Sequence, residues 1–354
     1  MQAYAVPTPG QPVEAMELPT PELTGKSVLV DITHSGVCHS DVHTAEGFFD
    51  LGQFGKLELT AFGTEFPAVF GHEIVGTVSA VGPDATVAPG DEKFIVFPWI
   101  GCGECVTCQD EKENLCPQGR IISGPLKGGF AHQVWVPDEK YLVPLGDLDP
   151  AWGATLACAG ITAFSAVNKL LPAGPEDTIA VIGAGGVGLM AVAMLKALGH
   201  LKVAVVDVSD ENLELAKSLG ASITVNSMTA EDPIAALVGA AGGEIHGAVD
   251  FVNNDKTAPL GFHSLRKGGT LVSVGLFGGM HTYPTSIAPL KVLNIRGSFV
   301  GSLPELKEVV EIARTHDLPK LPIVEKPMNA DVINETMQAL AAGGSRGRTV
   351  LTIG

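Results

Sequence analysis

Positive charge is scarce in this sequence of 354 residues: Lys and Arg number 22 against 39 Asp and Glu, and the formal net charge is −17. Such a surplus of negative charge opposes binding to nucleic acids and to anionic membrane surfaces. Hydrophobic residues make up 45% of the chain, as in packed globular proteins. The length exceeds one ordinary core, so we expect two domains and neither nucleic acid nor membrane as a partner.

Long hydrophobic runs are also lacking. The longest nearly uncharged apolar run, Ile179–Leu195, approaches the roughly 20 residues of a membrane span, but four glycines divide it into a strand, a turn and a helix. The N-terminus has no basic segment followed by an apolar run, so we expect no secretory signal.

Cysteine is rare as well, and its six copies fall into two groups. Four of them form the pattern Cys-x₂-Cys-x₂-Cys-x₇-Cys at Cys102, Cys105, Cys108 and Cys116. This pattern predicts a closed tetrahedral zinc site with a structural role. An iron–sulfur cluster is the alternative, but the long fourth spacing and the lack of a second cluster favour zinc.

The other two cysteines, Cys38 and Cys158, lie far apart in the sequence. Cys38 belongs to the polar stretch Gly36–His43, and His72 lies between the two cysteines along the chain. Two cysteines and one histidine are a ligand set of catalytic zinc, which keeps its fourth position open. A buried inert cysteine is the alternative for either thiol alone. With all six cysteines assigned to metal, none remains for a disulfide, which predicts a reducing, cytoplasmic compartment.

A glycine-rich turn, Gly183–Gly188, follows the predicted strand Thr178–Ile182 and precedes the predicted helix Leu189–Leu198. The next predicted strand, Lys202–Val206, ends at Asp207. This is the dinucleotide fingerprint in its required context, with the pyrophosphate at the helix N-terminus. Asp207 would bind the ribose hydroxyls and repel a 2′-phosphate, which favours NAD over NADP; a capping role for Asp207 is the weaker alternative.

The two halves of the chain differ in pattern. Residues 1–150 contain alternating segments separated by Gly and Pro, which predicts a small β-barrel. Later strands alternate with helices of about 10 residues, which predicts an α/β fold with a doubly wound parallel sheet. We expect a helix over Asp149–Leu171, a strand over Val292–Val300, and a final strand, Arg348–Ile353, that returns to the first domain. The predicted domains are 1–157 with 301–354, and 158–300.

An open zinc position beside a nicotinamide indicates hydride transfer between an alcohol and a carbonyl compound. Ser40 and His43 offer a path for the alcohol proton, although a solvated imidazole is the alternative for His43. Asp41 would orient His72 or else stabilise a turn. Glu73 either approaches the metal transiently or is buried structure.

Together these motifs resemble those of zinc-dependent medium-chain alcohol dehydrogenases, most closely the NAD-dependent archaeal-type branch. The resemblance covers nearly the whole chain and includes the segments Gly71–Glu73, Val274–Gly278 and Gly297–Gly301. It implies a GroES-like β-barrel catalytic domain, a Rossmann domain, and two zinc ions per subunit, one catalytic and one structural. It also implies a homodimer or homotetramer joined through the edge of the Rossmann sheet.

The resemblance further implies roles for single residues. Ser40 and His43 match the proton relay, and Glu73 matches an intermittent zinc ligand. Trp99 matches an aromatic wall of the substrate pocket. The implied cofactor contacts are His39, Thr162, Gly183, Gly185, Gly186, Val187, Gly188, Asp207, Val274, Leu276 and Arg348. Among them, His39 stands where many members carry an arginine on the pyrophosphate, Arg348 matches a second such arginine, and Thr162 lies against the nicotinamide.

The segment Gly47–Phe66 shows no strand or helix period but holds five phenylalanines. We expect it to fold over the cleft, with Phe49, Trp99 and Leu276 in an apolar channel that prefers medium-chain or aromatic alcohols. Three alternatives remain: a zinc- and NAD-binding sensor without turnover, a protein that uses both metals only for folding, and a lyase or physiological carbonyl reductase.

Overall fold

Two β-sheets form the frame of the protein. The computed structural model describes residues 1–316, 318–343 and 347–353. The first part of the chain is mostly β-structure, with two short helices. Its elements are β1 Gln2–Ala5, β2 Glu14–Glu17, β3 Val28–Val37, α1 His39–Glu46, β4 Phe48–Asp50, β5 Lys56–Glu58, β6 Glu73–Val81, β7 Lys93–Val96, β8 Trp99–Ile100, α2 Val106–Gln109, β9 Arg120–Ile121, β10 Gln133–Val136 and β11 Leu142–Pro144.

From residue 150 the chain alternates between helix and strand, as predicted. These elements are α3 Pro150–Thr155, a π-helical turn Leu156–Gly160, α4 Ile161–Asn168, β12 Ile179–Ile182, α5 Gly186–Ala197, β13 Val203–Asp207, α6 Asp210–Leu219, β14 Ile223–Asn226, α7 Pro233–Ala241, β15 Ile245–Asp250, α8 Thr257–His263, β16 Leu265–Ser273, α9 Ile287–Lys291 and β17 Asn294–Gly297. The last elements are α10 Leu303–Thr315, β18 Ile323–Pro327, α11 Ala330–Ala341 and β19 Arg348–Thr352.

The six-stranded sheet is entirely parallel, with the order β14-β13-β12-β15-β16-β17. The order reverses between β12 and β15, and in doubly wound folds ligands bind outside the carboxyl ends of the strands at this switch point. The predicted Rossmann architecture is therefore confirmed, and the glycine turn after β12 lies at the switch point.

The seven-stranded sheet has the order β11-β7-β6-β3-β19-β18, with β10 also paired to β3. The C-terminal strand β19 returns to β3, as predicted, and places Thr349 opposite Val37. On the other side of β3, Gly36 lies opposite Glu73. This register brings Cys38, Glu73 and Arg348 to one end of the sheet. The domain boundaries proposed from the sequence, 1–157 with 301–354 and 158–300, remain a prediction.

Three predicted elements need correction. The helix expected over Asp149–Leu171 is interrupted by the π-helical turn Leu156–Gly160. The strand expected over Val292–Val300 is limited to β17 because Val292 and Val300 adopt left-handed φ angles of 53° and 43°. The segment Gly47–Phe66 contains the β4–β5 hairpin and two 3₁₀ helices rather than an irregular loop.

Among the described residues, one helical stretch, Pro150–Asn168, is long and apolar enough to cross a membrane, and 94% of the tested window is buried inside the protein. Core helices pass the same test. The apolar run Ile179–Leu195 is divided between β12 and α5, as its glycines predicted.

Candidate metal and cofactor site

Three separate elements bring the first set of metal-binding side chains together. Cys38 is the N-cap of α1, His72 directly precedes β6, and Cys158 lies in the π-helical turn. The Cys38 and Cys158 sulfurs are 3.9 Å apart, and His72 Nε2 lies 3.3 Å from Cys158 Sγ. Bonds of about 2.0–2.3 Å from one tetrahedral zinc ion require separations of this order.

The two buried thiols compete for one negative charge. A hydrogen bond from Cys158 is the largest effect on Cys38 and lowers the pKa of its thiol well below the usual range. The same hydrogen bond, together with burial, raises the pKa of Cys158. Bound divalent cations deprotonate coordinating thiols. The chemistry of this donor set therefore fits zinc.

Asp41 is fully buried, and its hydrogen bonds hold the metal-binding residues in place. Its Oδ2 accepts the backbone N–H of Cys38 at 2.9 Å, and its Oδ1 accepts that of Gly71 at 3.1 Å. Oδ1 also lies 3.2 Å from Nδ1 of His72, which leaves Nε2 directed at the thiols. Burial lowers the pKa of His72, but the charge and hydrogen bond of Asp41, together with those of Cys38, outweigh burial and hold that pKa well above its usual value.

A buried ion pair lies beside this set, at the same end of the seven-stranded sheet. Nη2 of Arg348 donates to Oε2 of Glu73, and both side chains are buried. Burial raises the pKa of Glu73 to about 7, and the adjacent guanidinium opposes that rise. A Cβ atom on Gly186 would lie 2.6 Å from Cδ of Arg348. Arg348 thus lies between Glu73 and the glycine turn, and glycine at position 186 makes this approach sterically possible.

Ser40 and His43 lie on α1, one turn apart. Ser40 Oγ is 3.6 Å from Cys38 Sγ. The ring of His43 lies 5.0 Å from His39 and 5.6 Å from Phe277, measured between ring centroids. Burial, reinforced by the charge of His39, lowers the pKa of His43, while Glu46 and Cys38 oppose the shift. Phe277 also contacts His39 at 4.9 Å.

Phe277 was not singled out in the sequence, although it stands in the segment Val274–Gly278. The contacts of Phe277 with His39 and His43 join the end of the parallel sheet to α1. The sequence points to Phe277 only through its place in the segment Val274–Gly278. Its neighbour Leu276, predicted to line the substrate channel, is 45% exposed.

The glycines of the turn serve different purposes. Gly183 has a φ of 89°, which an L-side chain rarely adopts. A Cβ on Gly188 would lie 1.8 Å from the carbonyl oxygen of Gly183, whereas one on Gly185 would meet nothing within 4 Å. The open side at Gly185, the N-cap of α5, lets a phosphate approach the helix N-terminus beside Gly186 and Val187.

Asp207 ends β13 and faces this turn. Its Oδ2 accepts the N–H of Ala184 at 2.6 Å, and its Oδ1 accepts the N–H of Ser209 at 2.8 Å. Asp207 therefore shapes the turn as well as presenting negative charge beside it.

Thr162 on α4 is buried, and its hydroxyl has no hydrogen-bond partner within the part of the chain that the structure describes. A buried hydroxyl without a partner is costly, so it favours a polar ligand. Val274 lies half-buried after β16, where its N–H donates to the Asp250 carbonyl at 2.9 Å. These residues fit a bound dinucleotide.

The predicted pocket residues lie at different depths. Trp99 is buried, with its ring centroid 6.1 Å from that of His72. Phe49 on β4 lies 6.4 Å from the ring of His43. Phe54 and Phe62 are 74% and 55% exposed, so the expectation that the segment packs its phenylalanines over the cleft is wrong for these two.

The second set of cysteines forms a separate cluster. Cys105 Sγ lies 3.5 Å from Cys108 Sγ and 3.7 Å from Cys116 Sγ, and Cys102 Sγ lies 3.9 Å from Cys108 Sγ. A hydrogen bond with Thr107 is the largest effect on Cys105 and contributes to lowering its pKa to about 6, whereas burial raises the pKa of Cys108 to about 12. Four free thiols within 4.8 Å of one another fit a closed zinc site.

Comparisons with known proteins agree with this geometry. Residues 24–147 match the family described as alcohol dehydrogenase GroES-like domain, and residues 186–315 match the zinc-binding dehydrogenase family. The NAD-dependent alcohol dehydrogenases of Sulfurisphaera tokodaii and Saccharolobus solfataricus are 34% and 32% identical to this chain, with 99% of each chain covered. The crystal structure of the alcohol dehydrogenase from Aeropyrum pernix aligns over 100% of both chains, with a TM-score of 0.89 and 28% identity.

Proposed function

Because this chain belongs to the zinc-dependent medium-chain alcohol dehydrogenase family, we propose that it oxidises alcohols to aldehydes or ketones with NAD. The observation that carries the proposal is the closeness of two sites. The buried set Cys38, His72 and Cys158 is joined to the glycine turn through the ion pair of Glu73 and Arg348. A metal-bound substrate and a nicotinamide need such an arrangement.

Cys38, His72 and Cys158 would hold the catalytic zinc, and the four cysteines from Cys102 to Cys116 the structural zinc. A zinc ion with an open position supplies Lewis acidity to the substrate oxygen. Asp41 fixes the orientation of His72 for this purpose. Glu73 contributes a buried carboxyl group whose charge Arg348 balances.

The glycine turn and Asp207 would hold the adenosine half of NAD, and Thr162 with the Val274–Gly278 segment the nicotinamide half. NAD supplies the hydride acceptor. The proposed role of Arg348 at the pyrophosphate is compatible with its contact with Gly186, although its Nη2 is already bonded to Glu73. His39, whose ring lies 5.0 Å from that of His43, would add a further group toward the phosphates.

The proton released by the alcohol would leave through Ser40 and His43. Ser40 lies next to Cys38, and His43 is one helical turn further from it. Since burial lowers the pKa of His43, its imidazole is neutral at neutral pH and can accept a proton. The rings of Phe49 and Phe277 lie 6.4 and 5.6 Å from this imidazole and contribute to its partial burial.

The substrate pocket would favour apolar alcohols of medium length or with an aromatic ring. Trp99 lies 6.1 Å from the ring of His72 and Phe49 lies 6.4 Å from the ring of His43, which gives this pocket aromatic walls. Burying each additional methylene contributes about 0.8 kcal/mol until the pocket is filled. Ethanol gains the least from such a surface.

The test is NADH formation from a panel of primary, secondary, aliphatic and benzylic alcohols, followed at 340 nm on zinc-loaded protein. We expect turnover, with kcat/KM higher for hexanol and benzyl alcohol than for ethanol. NADH binding without turnover of any alcohol, or of any aldehyde in the reverse direction, would instead support a sensor.

The proposal extends to assembly and location. All four residues of β17 at the edge of the Rossmann sheet are exposed, which fits the homodimer or homotetramer implied by the family. All six cysteines are free thiols, which fits a cytoplasmic enzyme.

A further inference from the structure

The chain crosses from the six-stranded sheet back to α10 through residues 298–301, and this crossover contains a strained residue. Val300 adopts a φ of 43°. For a β-branched residue this left-handed conformation is a genuine outlier, and it persists only where the surroundings over-determine the backbone. The contacts of residues 298–301 must therefore enforce it.

Helix α4 lies alongside this crossover. Thr162, Ser165 and Lys169 follow one another at spacings of three and four residues, which places them on one face of the helix. Nζ of Lys169 donates to the carbonyl and hydroxyl oxygens of Ser165 at 3.1 and 2.9 Å, and to the hydroxyl of Ser298 at 3.0 Å. An ammonium group has three donors, so Lys169 has one for each contact.

The crossover is fixed on both sides of Val300. Before it, Lys169 binds Ser298, whose N–H also donates to the Ser273 carbonyl at 2.9 Å. After it, Gly301 packs so tightly that a Cβ there would lie 2.5 Å from Cγ1 of Ile161. Ile161 lies one helical turn before Ser165 and directly before Thr162, so the start of α4, which carries the Thr162 hydroxyl, also sets the path of the crossover.

We propose that Lys169 is a positioning residue for the nicotinamide end of the cofactor site. Its contacts with Ser165 and Ser298 tie the crossover to α4 and hold the strained backbone of Val300 next to this helix, which carries Thr162 at its start. The inference rests on the proposed NAD-dependent function, since it assumes that Thr162 faces the nicotinamide. Lys169 itself need not touch the cofactor.

The test compares two nucleotides that share the adenosine half. ADP-ribose reaches the glycine turn and Asp207, whereas NADH also reaches Thr162. Their dissociation constants are measured by NADH fluorescence and by displacement with ADP-ribose. In Lys169→Met we expect NADH binding to weaken roughly tenfold, as for the loss of one charge-assisted hydrogen bond. ADP-ribose should bind as it does to the wild type.

Ser298→Ala is the milder partner variant, because Ser165 keeps Lys169 in place. It should weaken NADH binding in the same direction. The double variant should bind NADH no more weakly than Lys169→Met alone, since the Lys169–Ser298 hydrogen bond lost in Ser298→Ala is already lost in Lys169→Met. Lys169→Arg should restore part of the affinity. Lys202→Met is the matched control, because that lysine pairs with Glu176 at the surface.

Equal weakening of NADH and ADP-ribose would show general damage to the domain and would overturn the inference. So would unchanged NADH binding in both Lys169→Met and Ser298→Ala. A wild-type protein that binds ADP-ribose and NADH equally would refute the assumed contact of Thr162. A wild-type protein that binds neither nucleotide would refute the proposed function itself.

Discussion

At the scale of single residues, the two cysteine sets differ in exposure. Cys38 and Cys158 are buried in a site whose donors leave one position open, whereas Cys102, Cys105 and Cys116 are partly exposed in a closed set of four. Metal bound in a closed site contributes its binding free energy to folding. The two sites therefore affect the protein differently when one thiol is removed.

We predict two zinc ions per chain in the wild type and one in either Cys38→Ser or Cys105→Ser. Cys38→Ser should lose activity with little change in Tm, and Cys105→Ser should lower Tm markedly. Elemental analysis and calorimetry measure both. Iron in place of zinc, or equal Tm values in the two variants, would contradict the assignment.

His43 should control the pH dependence of turnover. In His43→Gln we expect the loss of kcat to be greatest at neutral and mildly acidic pH, within the roughly 10²–10⁴-fold range of general-base catalysis. The loss should shrink at high pH, where hydroxide can accept the proton. A pH–rate profile identical to that of the wild type would remove His43 from the relay.

His43 should also make the free energy of unfolding depend on pH. Because the pKa of His43 is lowered in the folded protein, the unfolded state binds more protons from about pH 6.5 down to that lowered value. Folding stability from this group is therefore present above that pH and is lost as the pH falls toward the lowered value. His43→Gln should reduce that loss, which urea unfolding at several pH values measures.

Asp207 should determine the choice of cofactor. Its carboxylate would face the extra phosphate of NADP, and apposed like charges cost several kcal/mol. In Asp207→Asn, which keeps one acceptor oxygen, the ratio of kcat/KM for NADP to that for NAD should rise about tenfold or more. Asp207→Gly should show a similar rise, with weaker NAD binding because Ala184 and Ser209 lose their acceptor. Comparable use of NAD and NADP by the wild type would contradict this role.

Residue chemistry explains how much of the site could be predicted from the sequence. Thiols and imidazoles are rare and have few purposes, so Cys38, His72 and Cys158 were recognisable before the fold was known. Arg348 was also recognised, but not its bond to Glu73, because no sequence pattern shows which buried carboxylate an arginine pairs with. Lys169 had no local signal, and Phe277 had only its place in the segment Val274–Gly278, since their contacts depend on how elements distant in sequence pack together.

At the scale of elements, the π-helical turn and the β4–β5 hairpin differ most from expectation. The turn Leu156–Gly160 lies inside an apolar helical run, and π-helical turns often occur at functional sites. Leu156, Ala157 and Ala159 are good or ordinary helix formers, and the apolar pattern continues through the turn, so periodicity predicted an unbroken helix. The hairpin has strands of only three residues, too short for an alternating pattern to be recognised.

The hairpin should determine substrate preference through Phe49. Removing its ring in Phe49→Ala should lower kcat/KM for hexanol and benzyl alcohol more than for ethanol, because the longer substrates lose apolar contact. Phe54→Ala is the matched control, since Phe54 in the same segment is largely exposed. Unchanged relative rates in Phe49→Ala, together with altered oligomer stability, would instead place the hairpin at a subunit interface.

At the scale of the whole molecule, each of the two large sheets ends in an edge strand that pairs with a neighbour on one side only. The parallel sheet ends at β17, which pairs with β16 on one side, and the other sheet ends at β18, which pairs with β19. An edge strand with exposed N–H and C=O groups is a template for pairing with another chain. Exposed apolar residues lie near β17 at Leu290, Val292 and Ile295. A two-fold axis beside β17 would pair this strand with its copy and cover these side chains.

We therefore expect Ile295→Lys to shift the protein toward monomers, because like charges would meet across the two-fold axis. Val324→Lys on β18 is the matched control: Val324 is 49% exposed and Ile295 47%, and both lie on edge strands. Light scattering coupled to gel filtration measures the mass, and zinc content checks that each variant is folded. A monomeric wild type, or dissociation by Val324→Lys but not by Ile295→Lys, would exclude β17 as the interface. Since β17 leads directly into residues 298–301, a monomeric Ile295→Lys that binds NADH normally would also show that assembly is not needed to hold the crossover.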